Sequence, residues 1–391
     1  MSKIKDLIKE LCPNGVTKYK INDICLVTRG RVISKMELQE KSGEYPVYSS
    51  QTLNYGVFGK INTYDFDGEY VQWTTDGANA GSIFYRNGKF SVTNVCGLLK
   101  VKDEYLNIIR TDYLAYALTM ESKKHVNYAT SNPKLMSNVM ANITVLIPPI
   151  EIQKEIVRIL DKFGELEAEL EAELEARKSQ YEFWRGKLLD GNYEECSVDS
   201  LCLKTNNINW NNEDSNFKYI DLSSVNRDNN KIEETTIINS QTAPSRARQI
   251  VNTNDILFGT TRPLLKRITI VPEEYNNQIC STGYCVLRPN LDKVLPEWLY
   301  FNLQTKKYYD YVENFQQGAS YPSISDTAVK NFKIPIPTID KQRQIIKVLN
   351  KFDSLVNDIS IGLPAEIELR RQQYEYYRNK LLSFEEVSVS E

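Results

Sequence analysis

Histidine is almost missing from this chain: His125 stands alone among 391 residues. Ser–His catalysis and histidine metal centres need partners that one imidazole lacks, so an ordinary surface or core place suits His125 better. The seven cysteines are odd in number and scattered, with no Cys-x-x-Cys pair. Neither a zinc site nor a disulfide framework is indicated, and a reducing cytoplasm is the simplest compartment. No apolar run approaches the roughly 18 residues of a membrane span. Met1 to Leu11 mixes Lys, Asp and Glu with Ile and Leu, and reads as a short amphipathic helix instead of a signal peptide. A phosphate-cradling loop is absent too, since Gly59-Lys60 lacks the upstream glycine and the following Ser or Thr. Neither Gly-x-Ser-x-Gly nor His-Glu-x-x-His occurs. No Asn/Asp-Pro-Pro-aromatic motif of amino-methylating enzymes is present; Ile147-Pro-Pro-Ile150 is a helix entrance. These absences leave a catalytic role with little support.

A charge excess is also lacking. Lys+Arg number 48 against 51 Asp+Glu, a net −3 that does not advertise nucleic-acid binding. The distribution says more than the sum. Residues 151–190 hold 11 acids against seven bases, while the larger segments on either side are near neutral. Their basic residues can therefore be gathered on one face.

What the sequence does contain is a repeat. Ile147 to Leu166 reads IPPIEIQKEIVRILDKFGEL, and Ile336 to Leu355 reads IPTIDKQRQIIKVLNKFDSL, with nine of 20 positions identical. Arg177 to Leu189 (RKSQYEFWRGKLL) matches Arg370 to Leu382 (RRQQYEYYRNKLL) at eight of 13. Two such matches in the same order are not chance. Upstream the likeness is weaker: Tyr113-Leu-Ala-Tyr116 against Trp298-Leu-Tyr-Phe301, and Ser131-Asn-Pro133 against Ser320-Tyr-Pro322. The expected organisation is a mixed α/β region (1–146), a helical segment (147–190), a second α/β region (191–335), a second helical segment (336–385) and a tail (386–391).

The first helical segment has Pro148-Pro149 at its start and Gly191 past its end. Its apolar positions, among them Ile156, Phe163, Leu166, Leu170, Tyr181 and Trp184, recur mostly at spacings of three and four, the pattern of a coiled-coil seam with one stutter. The second segment repeats this through Ile345, Phe352, Leu355, Ile359, Tyr374 and Tyr377, and Gly362-Leu-Pro364 should interrupt or kink it. A lone amphipathic rod cannot bury its stripe. The two are expected to pack antiparallel as a separator between the α/β regions, with a docking surface presented twice.

In the α/β regions, Ile83–Tyr85, Gly97–Val101, Ile268–Val271 and Tyr284–Leu287 read as strands, and Asp112–Lys123 and Pro296–Tyr311 as helices. The polar loops hold the candidate contacts. Thr74, Thr75 and Asn79 sit on the Gly-rich stretch Trp73–Gly81, and Tyr128, Ser131, Asn132 and Lys134 form a second group. Lys89 adds a cation. In the second region, Arg246, Arg248, Thr260, Thr261, Arg262, Lys266 and Arg267 make the densest basic stretch, and Gln316, Gln317, Ser320 and Tyr321 stand where the Tyr128 loop stands in the first. Arg suits guanine, Asn and Gln suit adenine, and Ser, Thr and Lys suit phosphates. Polar loops are usually just solvated; recurrence at one place in both copies favours a functional reading.

These residues carry a resemblance. The motifs Ile-Pro-Pro-Ile-Glu-Ile-Gln-Lys-Glu-Ile, Ile-Leu-Asp-Lys-Phe163, Gly362-Leu-Pro-Ala-Glu-Ile367 and the doubled Gln-Tyr-Glu-x-x-Arg-x-Lys-Leu-Leu resemble the specificity subunit of type I restriction–modification systems. The loop Trp73–Gly81 is similar to part of a target-recognition domain of that family. The resemblance spans nearly the whole chain and is strongest in the helices. It implies two diverged target-recognition domains of α+β class separated by two long antiparallel coiled-coil helices with a pseudo-twofold repeat. It implies that each domain reads half of a split double-stranded DNA site, and that the helices dock two methyltransferase subunits. S-adenosylmethionine, ATP and Mg are expected on those methyltransferase subunits and on restriction/translocase subunits. This chain is expected to bind no cofactor or metal, to touch no membrane, and to supply specificity without chemistry. Two other readings compete: a self-contained restriction or methylation enzyme, against which the missing motifs count, and a coiled-coil scaffold with no DNA role.

Overall fold

The computed structural model describes residues 2–129, 131–358 and 360–387. Ile359 of the expected seam, Thr130 of the Tyr128 loop and residues 388–391 of the expected tail lie outside the described residues. The chain forms two compact units. Unit 1 comprises Met1–Glu167 and Arg370–Glu391, and unit 2 comprises Ala168–Leu369. Each unit thus combines one α/β region with parts of both helical segments.

Unit 1 begins with the helix Ser2–Leu11, as its amphipathic pattern predicts. The strand Thr17–Lys20 then pairs antiparallel with Thr144–Ile147. One four-stranded sheet runs in the order Cys25–Arg29, Cys96–Val101, Tyr70–Thr74, Ile83–Arg86, all antiparallel. A second runs Val57–Ile61, Ser42–Tyr48, Lys89–Val92, Phe66–Asp67, with its central pair parallel. Tyr70–Thr74 is buried at every position. A strand covered on both faces reads as a continuous run without alternation, which is why Thr74 and its neighbours look like loop in the sequence.

Unit 2 has the same plan. Glu195–Ser197 pairs with Lys333–Pro335. One sheet runs Cys202–Leu203, Tyr284–Pro289, Ile256–Gly259, Ile268–Ile270, and the other runs Thr236–Ile238, Phe217–Ile220, Gln278–Ser281, Ala247–Val251, again with a parallel central pair. Among the described residues each unit carries ten strands, matched one to one in chain order. The duplication therefore extends through the sheets, where the sequences barely agree.

The expected strands and the helix Thr111–Glu121 are present. The expected helix Pro296–Tyr311 is two helices, Pro296–Asn302 and Lys306–Phe315. The break comes from Thr305, whose hydroxyl accepts the Tyr308 N–H at 3.2 Å and starts the second helix.

The first helical segment is one helix, Ile150–Leu189. The second is two, Ile339–Asn357 and Leu363–Leu382. The interruption falls where Gly362-Leu-Pro364 predicts it. A Cβ on Gly362 would lie 2.5 Å from the Ser354 carbonyl oxygen, so only glycine allows this close turn. Within unit 1 the start of the long helix packs antiparallel against the C-terminal helix. Phe163 stacks on Tyr377 at 5.5 Å and meets Tyr374 at 6.3 Å. Within unit 2 the repeat of that contact appears, with Tyr181 stacked on Phe352 at 6.4 Å.

The repeated Gln of the helical motif has a structural reason. Gln153 is fully buried; it accepts the Arg110 N–H at 2.9 Å and donates to the carbonyls of Ile108 and Pro148, each at 2.7 Å. Gln342, equally buried, accepts the Leu295 N–H at 2.9 Å and donates to Lys293 and Pro337 at 3.1 and 3.0 Å. Each amide thus ties the helix start to the loop before an earlier helix, Thr111–Glu121 in unit 1 and Pro296–Asn302 in unit 2, and pairs these backbone groups. Nearby, the Tyr113 hydroxyl donates to the Leu146 carbonyl and the Trp298 indole to the Pro335 carbonyl, both at 2.9 Å and at matched places.

The two chain ends meet in unit 1. The Val16 N–H donates to Glu385 O at 2.8 Å, the Val387 N–H to Val16 O at 3.2 Å, and Lys18 pairs with Glu386 at 3.0 Å.

Candidate nucleic-acid interface

In unit 1 the loop following the strand Tyr70–Thr74 lies against the segment Asn127–Leu135. The Leu135 N–H donates to Thr75 O at 2.9 Å and the Gly77 N–H to Pro133 O at 3.0 Å. Asn127 and Lys134 exchange backbone bonds of 2.8 and 3.1 Å. The two expected groups of polar residues, 53 residues apart in sequence by their Gly81-to-Lys134 ends, therefore form one surface. Tyr128, Ser131, Asn132 and Lys134 are exposed there. Lys134 reaches Asp76 at 3.8 Å. Asn79 donates to the Ser50 carbonyl at 3.0 Å and so docks a third loop, Gln51–Gly56, onto the other two. That loop exposes Leu53 and Tyr55, and Asn54 and Tyr55 both hold positive φ.

The expectation needs correction at three threonines. The side chains of Thr74 and Thr75 are fully buried and that of Thr260 nearly so. They end or directly follow the buried strands Tyr70–Thr74 and Ile256–Gly259, so their covered side chains shape the loops from below and offer no surface for DNA. Thr75 accepts a 2.7 Å bond from Arg29 and donates to Asp76 at 2.6 Å; Thr260 donates to Gly283 O at 2.9 Å. Lys89 is exposed, but it lies beside Tyr64, 4.8 Å from the ring, at the end of its strand away from Thr93 and the loops. It is not brought together with them.

Sequence reasoning missed several charged groups here. Arg29 donates to Thr75, to Asp76 at 3.3 Å and to Asn94 O at 2.8 Å. Arg31 donates to Asp65 and Glu37, both at 3.0 Å. Hydrogen bonding to Glu37 holds the Arg31 guanidinium above its usual range, and the bond from Arg31 holds the Glu37 carboxyl below its own. Thr-Arg-Gly-Arg at 28–31, two arginines around a glycine at a strand end, was the available signal. Arg86 is buried beneath the Gln51–Gly56 loop. It donates to Gln72 at 2.8 Å and to Tyr55 O at 2.7 Å, and lies 3.6 Å over the Tyr48 ring. Burial without a carboxylate pushes it down to about 10.

Unit 2 builds the same surface. The Ile324 N–H donates to Thr260 O at 3.0 Å and the Arg262 N–H to Pro322 O at 2.7 Å. Gln317 and Ser323 exchange backbone bonds of 2.8 Å each. Thr261 is half-buried; Arg262, Lys266, Gln317, Ser320 and Tyr321 are exposed, while Gln316 and Arg267 are partly covered. Arg248 is exposed on the strand Ala247–Val251, and Arg246, exposed just before it, joins this surface through the turn Ser281–Gly283. The Thr282 N–H donates to Arg246 O at 2.9 Å, and the Thr260 N–H to Gly283 O at 2.8 Å.

The helical residues divide. Ile156, Tyr181 and Ile345 are buried, and Phe163, Leu166, Leu170, Phe352, Tyr374 and Tyr377 are half-buried. Trp184 and Leu355 are 42% and 38% exposed, a correction to the expected seam. Spacing of three and four marks a face without saying what covers it. Trp184 meets Phe183 edge-on at 5.4 Å, and Lys187 lies 5.0 Å from the Phe183 ring. At the matched place, Tyr377 meets Tyr376 at 5.3 Å, with Lys380 at 5.4 Å from the Tyr376 ring. Phe183 and Tyr376 are both exposed.

The model of one family, the type I restriction modification DNA specificity domain, matches residues 13–176 and again 192–369. The chain belongs to this family. A Mycoplasma pneumoniae chain named as a type I specificity subunit is 32% identical over 384 residues, which span 94% of this chain and 98% of that one. The specificity subunit of the type I restriction enzyme MpnII from the same bacterium is 43% identical over 176 residues, 44% of this chain and 52% of that one. The solved type I restriction–modification S subunit from M. genitalium shares the fold, with TM-score 0.55 over 94% of this chain and 96% of that one at 14% identity. As a member of the family the chain carries two DNA specificity domains, and its relatives are specificity subunits of restriction–modification systems. Among the described residues no group of His, Cys, Asp and Glu could hold a metal ion, and no helix is long and apolar enough to cross a membrane.

Proposed function

We propose that this specificity subunit reads a bipartite double-stranded DNA site, one half by each unit, and directs adenine N6 methylation and restriction by partner subunits. One observation carries the reading: the two units hold matched loop pairs with the same backbone hydrogen bonds and different exposed side chains. Two surfaces of one frame and unlike chemistry suit two different half-sites. The second repeated surface, Phe183–Trp184–Lys187 and Tyr376–Tyr377–Lys380, keeps its chemistry in both copies. Each copy exposes an aromatic, Phe183 or Tyr376, beside a second ring and a cation, which is anchor chemistry for protein contact, and keeping it twice suits two copies of one methyltransferase.

In this reading the chain acts in the cytoplasm and supplies no catalytic group. S-adenosylmethionine, ATP and Mg reside on the methyltransferase and restriction/translocase subunits. The target adenine leaves the duplex to be methylated. A net charge of −3 fits a subunit that grips DNA together with partners, so the isolated chain binds DNA weakly and with steep salt dependence.

The test is co-expression with a type I methyltransferase subunit in a host free of DNA methylation, followed by genome-wide mapping of N6-methyladenine. One split motif, methylated on both strands and dependent on this chain, is the expected result. A partner that binds this chain and is competent with another specificity subunit, yet leaves no motif here, would overturn the proposal.

A further inference from the structure

The shared loop frame makes residues comparable one by one. The bond from Gly77 N–H to Pro133 O in unit 1 corresponds to that from Arg262 N–H to Pro322 O in unit 2, and each frame is closed by the same neighbouring bonds. Gly77 and Arg262 therefore occupy one position of one turn. Both hold positive φ, +100° at Gly77 and +49° at Arg262. Glycine takes that conformation freely, whereas a residue with a side chain is strained there. The turn alone would be better served by glycine in both units. An arginine held at this cost points to a use for its side chain.

That side chain is set up for recognition. Arg262 is exposed, and its guanidinium carbon lies 4.2 Å from the centre of the Tyr321 ring. Tyr321 is itself 70% exposed. Among the described residues no carboxylate pairs with Arg262. Stacking on the ring fixes the guanidinium plane and leaves its N–H edge open. Unit 1 has no such pair, because Asn132 stands where Tyr321 stands and Gly77 where Arg262 stands.

We propose that Arg262 is the base-reading residue of the half-site bound by unit 2. It donates two parallel hydrogen bonds to O6 and N7 of a guanine in the major groove, with Tyr321 as the platform that holds its plane. This rests on the DNA-reading proposal above.

The test uses the co-expressed complex and the same methylation map, with wild type, Arg262→Gly, Arg262→Lys and Tyr321→Leu. Wild type should show a G·C pair in each strand-defined copy of one half-site. Arg262→Gly should lose discrimination at one base pair of that half, on the order of 10- to 100-fold, with the other half unchanged. Its thermal midpoint should hold or rise, because the strain is relieved; an arginine kept for structure would lower it. Tyr321→Leu should relax the same base pair less. If Arg262→Gly abolishes methylation, Arg262→Lys decides: a recovered but relaxed motif supports base reading, and a recovered unchanged motif shows a phosphate contact and overturns it. An unaltered motif in Arg262→Gly, no recovery with Arg262→Lys, or half-sites without G·C pairs would also overturn it. Absence of any wild-type motif would instead sink the DNA-reading proposal beneath it.

Discussion

At one matched pair of strand positions the two units use different chemistry. Unit 2 buries Asp255 against Arg288 at 2.7 Å, and Asp255 also accepts the Asn252 N–H at 2.7 Å. In unit 1, continuing the matched register by one residue, Tyr70 lies opposite Lys100, with the ammonium 5.8 Å from the ring and the lysine exposed. The strand frame tolerates either pair, yet the stakes differ. A carboxylate taken out of water depends on its cation, whereas a tyrosine ring loses little when its cation goes. The contrast with Gln153 and Gln342, which make the same three bonds in both units, separates what the fold requires from what it merely permits.

That contrast can be broken by substitution. Arg288→Met should lower unit 2's stability by about 3 kcal/mol, read as a shift of its urea transition, while Lys100→Met should cost unit 1 under about 1 kcal/mol. Equal losses would mean that the two pairs are energetically alike. Gln153→Ala and Gln342→Ala should each cost about 2 kcal/mol, because buried backbone groups lose their partners. A clear difference between those two would break the equivalence of the helix starts. Tyr113→Phe should cost about 1 kcal/mol by stranding the Leu146 carbonyl, measurable in the same denaturation series. Smallest of all, Trp184→Ala should change stability by about 0.5 kcal/mol, since the residue is 42% exposed and its ring packs mainly against the exposed Phe183. The same variant should nevertheless weaken co-purification of the methyltransferase, and unchanged capture would remove Trp184 from the docking surface.

Much of the helical design was legible, because a buried face repeats every three or four residues and the repeat was kept twice. Gln153 and Gln342 were visible as letters of the motif, but their task was not. Their partners come from loops more than 40 residues back, at Ile108 and Arg110 and at Lys293 and Leu295. The loop match through Pro133 and Pro322 was readable, and the two hold equivalent places in their own units' loops. Thr74, Thr75 and Thr260 misled for a physical reason. A threonine that ends a strand buried on both faces has the composition of a loop and the surroundings of a core. Arg29 was missed because Thr75 and Asn94 lie 46 and 65 residues away from it in sequence.

The meeting of the chain ends has a consequence for synthesis. Unit 2 is one unbroken stretch, Ala168–Leu369, whereas unit 1 needs Met1–Glu167 and Arg370–Glu391 together. A ribosome releases residues in order, and domains fold as their segments emerge. Unit 2 can close while the first part of unit 1 still waits for Leu381 to fill its core and for Glu385 and Val387 to pair with Val16. The domain encoded first is completed last, and until then its unfilled apolar face is the nascent chain's point of exposure to chaperones and proteases.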